Sequence, residues 1–217
     1  MQLVGKSTLI NSLRELHDVE AIVEQPYDIF GPALTGEIET TRETQCYGYP
    51  HGSDLDFVRF WDHPGCGTQS QSTKNYFERN VLYAYDCVLM ITSGSLGEYE
   101  RGIIEAARKY NTAIVIVVNK ADDRVRSKIR RRAPVAGPLD ANARTRIIQE
   151  TIDEAKTNIR QALQNIQQDS VPIFVVSAEK WRCFLETRNP EDMELALEIQ
   201  PLMECLIHAA LDRRRQL

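Results

Sequence analysis

No apolar run in this chain approaches the roughly 20 residues that a membrane-spanning helix needs. The opening residues show no charged-then-apolar pattern of a secretory signal, and no lipidation motif is present. Cysteine is sparse and odd in number: Cys46, Cys66, Cys87, Cys183 and Cys205 form no Cys-x-x-Cys pair. That usage argues against a disulfide scaffold and for a reducing compartment, so a cytoplasmic protein is expected. Positive charge is also short. With 26 Lys and Arg against 31 Asp and Glu the net charge is -5. Dedicated nucleic-acid binders are generally basic, so no nucleic acid is expected as a partner. His17, His51 and His208 lack metal-ligand spacing, and neither an internal repeat nor a low-complexity tract occurs. What is present is ordinary for one globular domain: 217 residues, 42% apolar and 26% charged.

One absence falls inside a motif. Val4-Gly5-Lys6-Ser7-Thr8 is the back half of a phosphate-binding loop, which reads Gly, four variable residues, then Gly-Lys-Ser/Thr. Residues 1–4 use up the variable positions, so the first glycine and the strand before it would precede Met1. Met1 accordingly reads as an internal methionine or a mis-assigned start. In G domains the absent strand lies mid-sheet, and residues 1–217 alone are expected to bind nucleotide poorly. The remaining half still has definite chemistry. Backbone N–H groups of Gly5, Lys6, Ser7 and Thr8 would point at phosphates, and the following helix adds its positive end. Lys6 would reach the β- and γ-phosphate oxygens, and the Ser7 hydroxyl would ligate Mg²⁺. Taken alone, the string is equally a capped helix start.

Further strings follow in order. Phe57-Val58-Arg59-Phe60-Trp61 reads as a strand that runs into Asp62-His63-Pro64-Gly65, an Asp-x-x-Gly signature. Asp62 would hold Mg²⁺, usually through water, while the Gly65 amide senses the γ-phosphate. The β-branched run over 113–118 ends in Asn119-Lys120-Ala121-Asp122, the pattern of a base reader. Asp122 can accept from both the N1–H and the amino group of guanine; adenine offers neither donor in that arrangement. Leaving that carboxylate unpaired would cost several kcal/mol, which rejects the wrong base. Lys120 would cover the base with its alkyl stem. The run over 171–176 ends in Ser177-Ala178, whose backbone would contact the guanine oxygen. Together these strings point to GTP or GDP with Mg²⁺.

The segments Gly36-Glu37-Ile38-Glu39-Thr40-Thr41-Arg42-Glu43 and Phe60-Trp61-Asp62-His63-Pro64-Gly65-Cys66-Gly67-Thr68 resemble switch I and switch II of the immunity-related (interferon-inducible) GTPases. The likeness continues through Asn75-Tyr76-Phe77 and Tyr85-Asp86. Era-like members of the same Ras/Era-like class share Thr-Thr-Arg and Asn-Lys-x-Asp. The resemblance implies that Thr41 joins the Mg²⁺ shell, with Thr40 the alternative register, and that Glu43 can position or deprotonate water. It also implies pairing of two nucleotide faces in a homodimer, and leaves peripheral membrane contact open. The chain departs from the family in having Asn119 where many members carry Thr, and in lacking their flanking helical segments.

Apolar periodicity predicts helices over 7–16, 76–83, 98–110, 143–168 and 192–214, and strands over 46–49, 57–62, 87–92, 113–118 and 171–177. Residues 27–43 read as the switch I loop, and a loop is expected after the 113–118 strand. The fold expected is α/β: a P-loop NTPase G domain over 1–217, mostly parallel, with helices on both faces and its first strand missing. The basic cluster over 124–132 reads either as a compensated surface or as an anionic docking patch. His63 reads as a spacer within its motif, and Cys66 as a loop residue standing where Ras-like proteins place a water-orienting Gln. The leading function is a GTP-hydrolysing switch. The alternatives are a degenerate G domain that binds nucleotide or protein without efficient hydrolysis, and an ATP-using P-loop protein, which Asp122 opposes.

Overall fold

A computed structural model describes residues 5–20, 27–35, 43–50, 52–65, 75–136 and 140–215. Helix α1 (Lys6–Leu13) precedes two short strands, β1 (Val19–Glu20) and β2 (Leu34–Thr35), then β3 (Gln45–Gly48) and β4 (Arg59–Asp62). Helix α2 (Tyr76–Arg79) and a 3-10 turn (Leu82–Ala84) lead to β5 (Cys87–Thr92), α3 (Glu98–Lys109) and β6 (Ala113–Val118). After these come α4 (Ala121–Ala136), α5 (Ala141–Gln164), β7 (Ile173–Val175), α6 (Ala178–Thr187), α7 (Pro190–Ala196) and α8 (Ile199–Arg215).

Strands β5, β6 and β7 form a parallel sheet in that order, with β6 central. Side chains alternate across a strand, so an apolar run serves two cores at once. Ile114, Ile116 and Val118 face a core shared with Ile104 of α3 and with Ile147, Ile152 and Ile159 of α5. Val115 and Val117 face the other way, onto Leu9 and Leu13 of α1, Trp181 of α6 and Leu202 of α8. Helices therefore cover both faces, and the carboxyl ends of the strands gather the turns that carry the motifs.

Strand β4 pairs antiparallel with β3, in register Gln45↔Asp62, in a sheet separate from β5–β6–β7. Among the described residues no ladder joins β4 to β5. The two strands therefore belong to separate sheets, with a break between them. Side chains span it instead: the Trp61 and Tyr85 rings sit 5.9 Å apart, and Phe60 packs against the core that Cys87, Leu89 and Ile91 also join.

Several sequence expectations are corrected. The stretch after β6 is helix α4 rather than a loop, started by Asp122 and Asp123 in its first turn and anchored by buried Ala121 and Val125. Two of its basic residues pair with acids of α5, Lys128 with Glu154 (2.6 Å) and Arg132 with Glu150 (2.7 Å). The expected helix over 192–214 is two helices, because Leu197 turns to φ 62° and bridges Val176. The expected helix over 76–83 likewise breaks at Val81, φ 53°. Helix α6 arises directly after the last motif, where Ser177 caps it by accepting from the Lys180 amide (3.2 Å). Inside the expected switch I loop, Leu34 and Thr35 pair in parallel with Val19 and Glu20.

Because Ile116 is fully buried at the centre of the sheet, Ile116→Ala should cost about 2–5 kcal/mol of stability. Urea unfolding followed by far-UV circular dichroism measures this as a lowered midpoint with unchanged slope.

Candidate functional site

Gly5 begins the site because only glycine fits there. Its φ is +72°, and a Cβ would come within 3.0 Å of the Asn119 side-chain nitrogen. The Gly5 carbonyl accepts from Asn119 Nδ2 (3.4 Å), while Asn119 Oδ1 accepts from the Ala178 amide (3.1 Å). The Asn119 amide in turn donates to Thr92 (3.0 Å), which ties the end of β6 to the end of β5. Ser12 of α1 donates to the Ala178 carbonyl (2.8 Å), so Ala178 is held from both sides. The phosphate-loop half, the Asn-Lys-x-Asp turn and the Ser-Ala turn thus converge. Lys120 adopts φ 61° and lays its stem beside Gly5. Asp122 is buried in the first turn of α4, and Arg126 Nη1 stands 3.5 Å from its carboxylate one helical turn on.

On the other side of α1 lies a charged group. Lys6 Nζ donates to the His63 carbonyl (2.7 Å) and sits 3.8 Å from Asp62 Oδ1, and the Ser7 hydroxyl is 3.5 Å from Asp62 Oδ2. Asp62 is only 3% exposed. These three residues come from a helix start and a strand end, and the β3–β4 register delivers Asp62 to that place. His63 does more than space the motif. Its ring nitrogens lie 3.1 Å from Thr44 Oγ1 and 3.1 Å from the Tyr85 hydroxyl, joining the start of β3 to the start of β5. Burial pushes the His63 pKa below its usual value, with an Asn80 hydrogen bond opposing the shift and the Lys6 cation reinforcing it.

Of the remaining sequence-predicted residues, Thr8 lies half-buried in the first turn of α1. Gly65 lies beyond Pro64, whose carbonyl accepts from the Tyr76 hydroxyl (2.6 Å). Glu43 is exposed and precedes Gln45, the partner of Asp62. Thr41, with its alternative Thr40, and Cys66 fall outside the described residues. Sequence reasoning missed Ser12, Arg126 and the contacts of His63. A signal existed for Arg126, which stands one helical turn after Asp122 in a stretch read as loop; the partners of Ser12 and His63 are distant in sequence.

Asn119→Ala should leave the Ala178 amide without its acceptor, at a cost of about 1–3 kcal/mol. Thermal unfolding should show a lowered midpoint, and amide exchange at Ala178 should quicken.

Comparison with known proteins agrees with this arrangement. Residues 3–186 match the family model described as interferon-inducible GTPase. Mouse interferon-gamma-inducible GTPase 10 is 28% identical over 218 aligned residues, covering 97% of this chain and 47% of that protein. Mouse T-cell-specific guanine nucleotide triphosphate-binding protein 2 is 26% identical over 98% of this chain and 48% of its own length. Rat interferon-inducible GTPase 5 is 31% identical over 55% of the chain and 23% of that protein. The chain therefore spans about half the length of the first two. With an α/β fold whose P-loop half, Asp-x-x-Gly turn and Asn-Lys-x-Asp turn meet at the strand ends, this chain belongs to the interferon-inducible GTPase family.

Proposed function

We propose that this chain, as one G domain, binds guanine nucleotide with Mg²⁺ and hydrolyses GTP to GDP. The single observation that supports this most is the Gly5–Asn119–Ala178 link, which brings a phosphate-loop residue, a base reader and a base-contacting turn to one place. On this reading the amides of Gly5, Lys6, Ser7 and Thr8 cradle phosphate, and Asp122 accepts from guanine while Lys120 covers the base. Arg126 then steadies the Asp122 carboxylate. Ala178 turns toward the guanine oxygen, with Ser177 capping the helix behind it.

The oxygen donors of Ser7 and Asp62, 3.5 Å apart, fit Mg²⁺, a hard cation that takes one or two protein ligands and keeps several waters. Thr41 would complete the protein share of that shell. Held by these residues, Mg²⁺ would supply positive charge against the phosphate oxygens. Lys6 now rests on the His63 carbonyl and beside Asp62. Phosphate is a stronger acceptor, so binding transfers the ammonium from switch II to the nucleotide. Gly65 follows that turn and presents its amide to the γ-phosphate. Glu43, exposed at the approach to β3, positions the attacking water, a task that Cys66 cannot perform as a Gln amide does.

Asp122→Asn presents a donor to the guanine amino group, so GTP binding should weaken about 10- to 100-fold while xanthosine triphosphate gains. Competition against a fluorescent guanine nucleotide, with ATP as a third competitor, reads this directly. Unchanged GTP affinity would remove the base-reader assignment, and binding without turnover would favour the degenerate module. Specific activity should rise with protein concentration if a second G domain completes the site. A rate that is independent of concentration and unaltered by Glu43→Ala would sink both the homodimer and the role of Glu43.

A further inference from the structure

Asp62 is the last residue of β4 that the ladder with β3 holds, opposite Gln45. The next two residues in that register, Thr44 and His63, are joined by side chains instead: His63 Nδ1 lies 3.1 Å from the Thr44 hydroxyl. The other ring nitrogen, Nε2, lies 3.1 Å from the hydroxyl of Tyr85, which stands just ahead of β5. One imidazole therefore carries on where the ladder stops and reaches across the break between the sheets. The Tyr85 ring meets it edge-on, with centroids 5.4 Å apart and planes at 75°. In a neutral imidazole one nitrogen donates and the other accepts, and a hydroxyl can do either, so both bonds form at once. An aliphatic side chain at this position would pack but make neither.

The backbone of the same turn is gripped as well. Lys6 Nζ donates to the His63 carbonyl (2.7 Å), and the Tyr76 hydroxyl of α2 donates to the Pro64 carbonyl (2.6 Å). Asn80, whose Nδ2 donates to the Tyr76 carbonyl (2.8 Å), adds a hydrogen bond to the His63 ring. The ring is thus held from β3, from the start of β5 and from the end of α2, and the carbonyls from α1 and α2. Asp62 is one rigid peptide plane away, with its carboxylate turned to Lys6 and Ser7. Any rotation of His63 about that plane would swing the carboxylate off Ser7.

We propose that His63 is a positioning residue for the metal side of the site: clamped between the Thr44 and Tyr85 hydroxyls, its ring fixes the Asp62–Pro64 turn and so keeps the Asp62 carboxylate beside Ser7, where both can serve one Mg²⁺. This rests on the GTPase reading above. The base-reading turns are held separately, by Asn119 and Ala178. Loosening the ring should therefore weaken what Mg²⁺ contributes and spare what the base contributes.

The test uses the full chain with Tyr85→Phe and Thr44→Val, each of which removes one hydroxyl and keeps the shape, and with Thr44→Ser, which keeps the hydroxyl. GDP affinity is measured by competition with a fluorescent guanine nucleotide, once in EDTA and once in Mg²⁺, and single-turnover GTP hydrolysis is followed alongside. In EDTA all three variants should bind GDP as the parent does. The gain in affinity that Mg²⁺ confers should shrink about 10-fold in Tyr85→Phe and in Thr44→Val, the worth of one hydrogen bond. Hydrolysis should fall about 10- to 100-fold, up to the scale of a 1 Å misplacement. Thr44→Ser should match the parent in every measurement. Equal losses with and without Mg²⁺ would mean that the ring supports the fold alone, and an undiminished Mg²⁺ gain in both hydroxyl-free variants would mean that Asp62 needs no such hold; either result overturns the proposal. A parent chain that binds no guanine nucleotide defeats the GTPase reading and this proposal with it, and that failure is told apart because it precedes any substitution.

Discussion

The short carboxamide of Asn119 is the contact on which the rest of the site depends. It needs a donor at one end and an acceptor at the other, because it must satisfy a Gly5 carbonyl and an Ala178 amide at once. Neither Asp nor Leu offers both. It must also sit at the last turn of the central strand, where its own amide can bond Thr92 across to β5. Residues 5, 92, 119 and 178 are far apart along the chain, and buried polar groups left unpaired there would each cost about 1–3 kcal/mol. Ser12 reinforces the same junction from α1, so the helix that follows the phosphate loop and the helix that follows the Ser-Ala turn are locked as one unit.

A second constraint acts across the break in the sheet. Strands β4 and β5 are held by the rings of Trp61, His63 and Tyr85 and by the packing of Phe60, with no shared ladder among the described residues. Such contacts are less directional than backbone hydrogen bonds. The Asp62 end of β4 is positioned by its β3 register and by Lys6 and Ser7. Lys6 in this arrangement satisfies protein acceptors, which keeps a buried carboxylate compensated.

Much of the fold was legible because its strands are apolar runs ending in motif residues. The stretch 113–118 could only be a strand buried on both faces, and Asn119 and Asp122 follow it at once, so their place at the carboxyl edge of a sheet was readable. Legibility failed where local pattern and tertiary demand diverge. The apolar spacing over 192–214 is continuous enough for one helix, yet Leu197 takes a left-handed φ because its bridge to Val176 requires a bend there. The stretch after β6 reads as a loop, and its basic cluster as a compensated surface or a docking patch, until the acids of α5 are placed beside it. Glu150 and Glu154 turn repulsion into pairing, and α4 forms over the whole run.

Sequence alone set out the side chains on offer: a Gly-Lys-Ser string at a helix start, an acid at the end of one strand and an acid soon after another. Those assignments depend only on residue type, spacing and strand ends, which are local properties. Tertiary structure alone decided what holds them. That Arg14 spends its charge on three carbonyls, that Asn11 reads Ala33, that His63 joins Thr44 to Tyr85 and that Asn119 reaches both Gly5 and Ala178 are contacts between distant segments. No local pattern announces such pairings, because each partner contributes a backbone group that every residue possesses, or a hydroxyl with no fixed spacing to its mate.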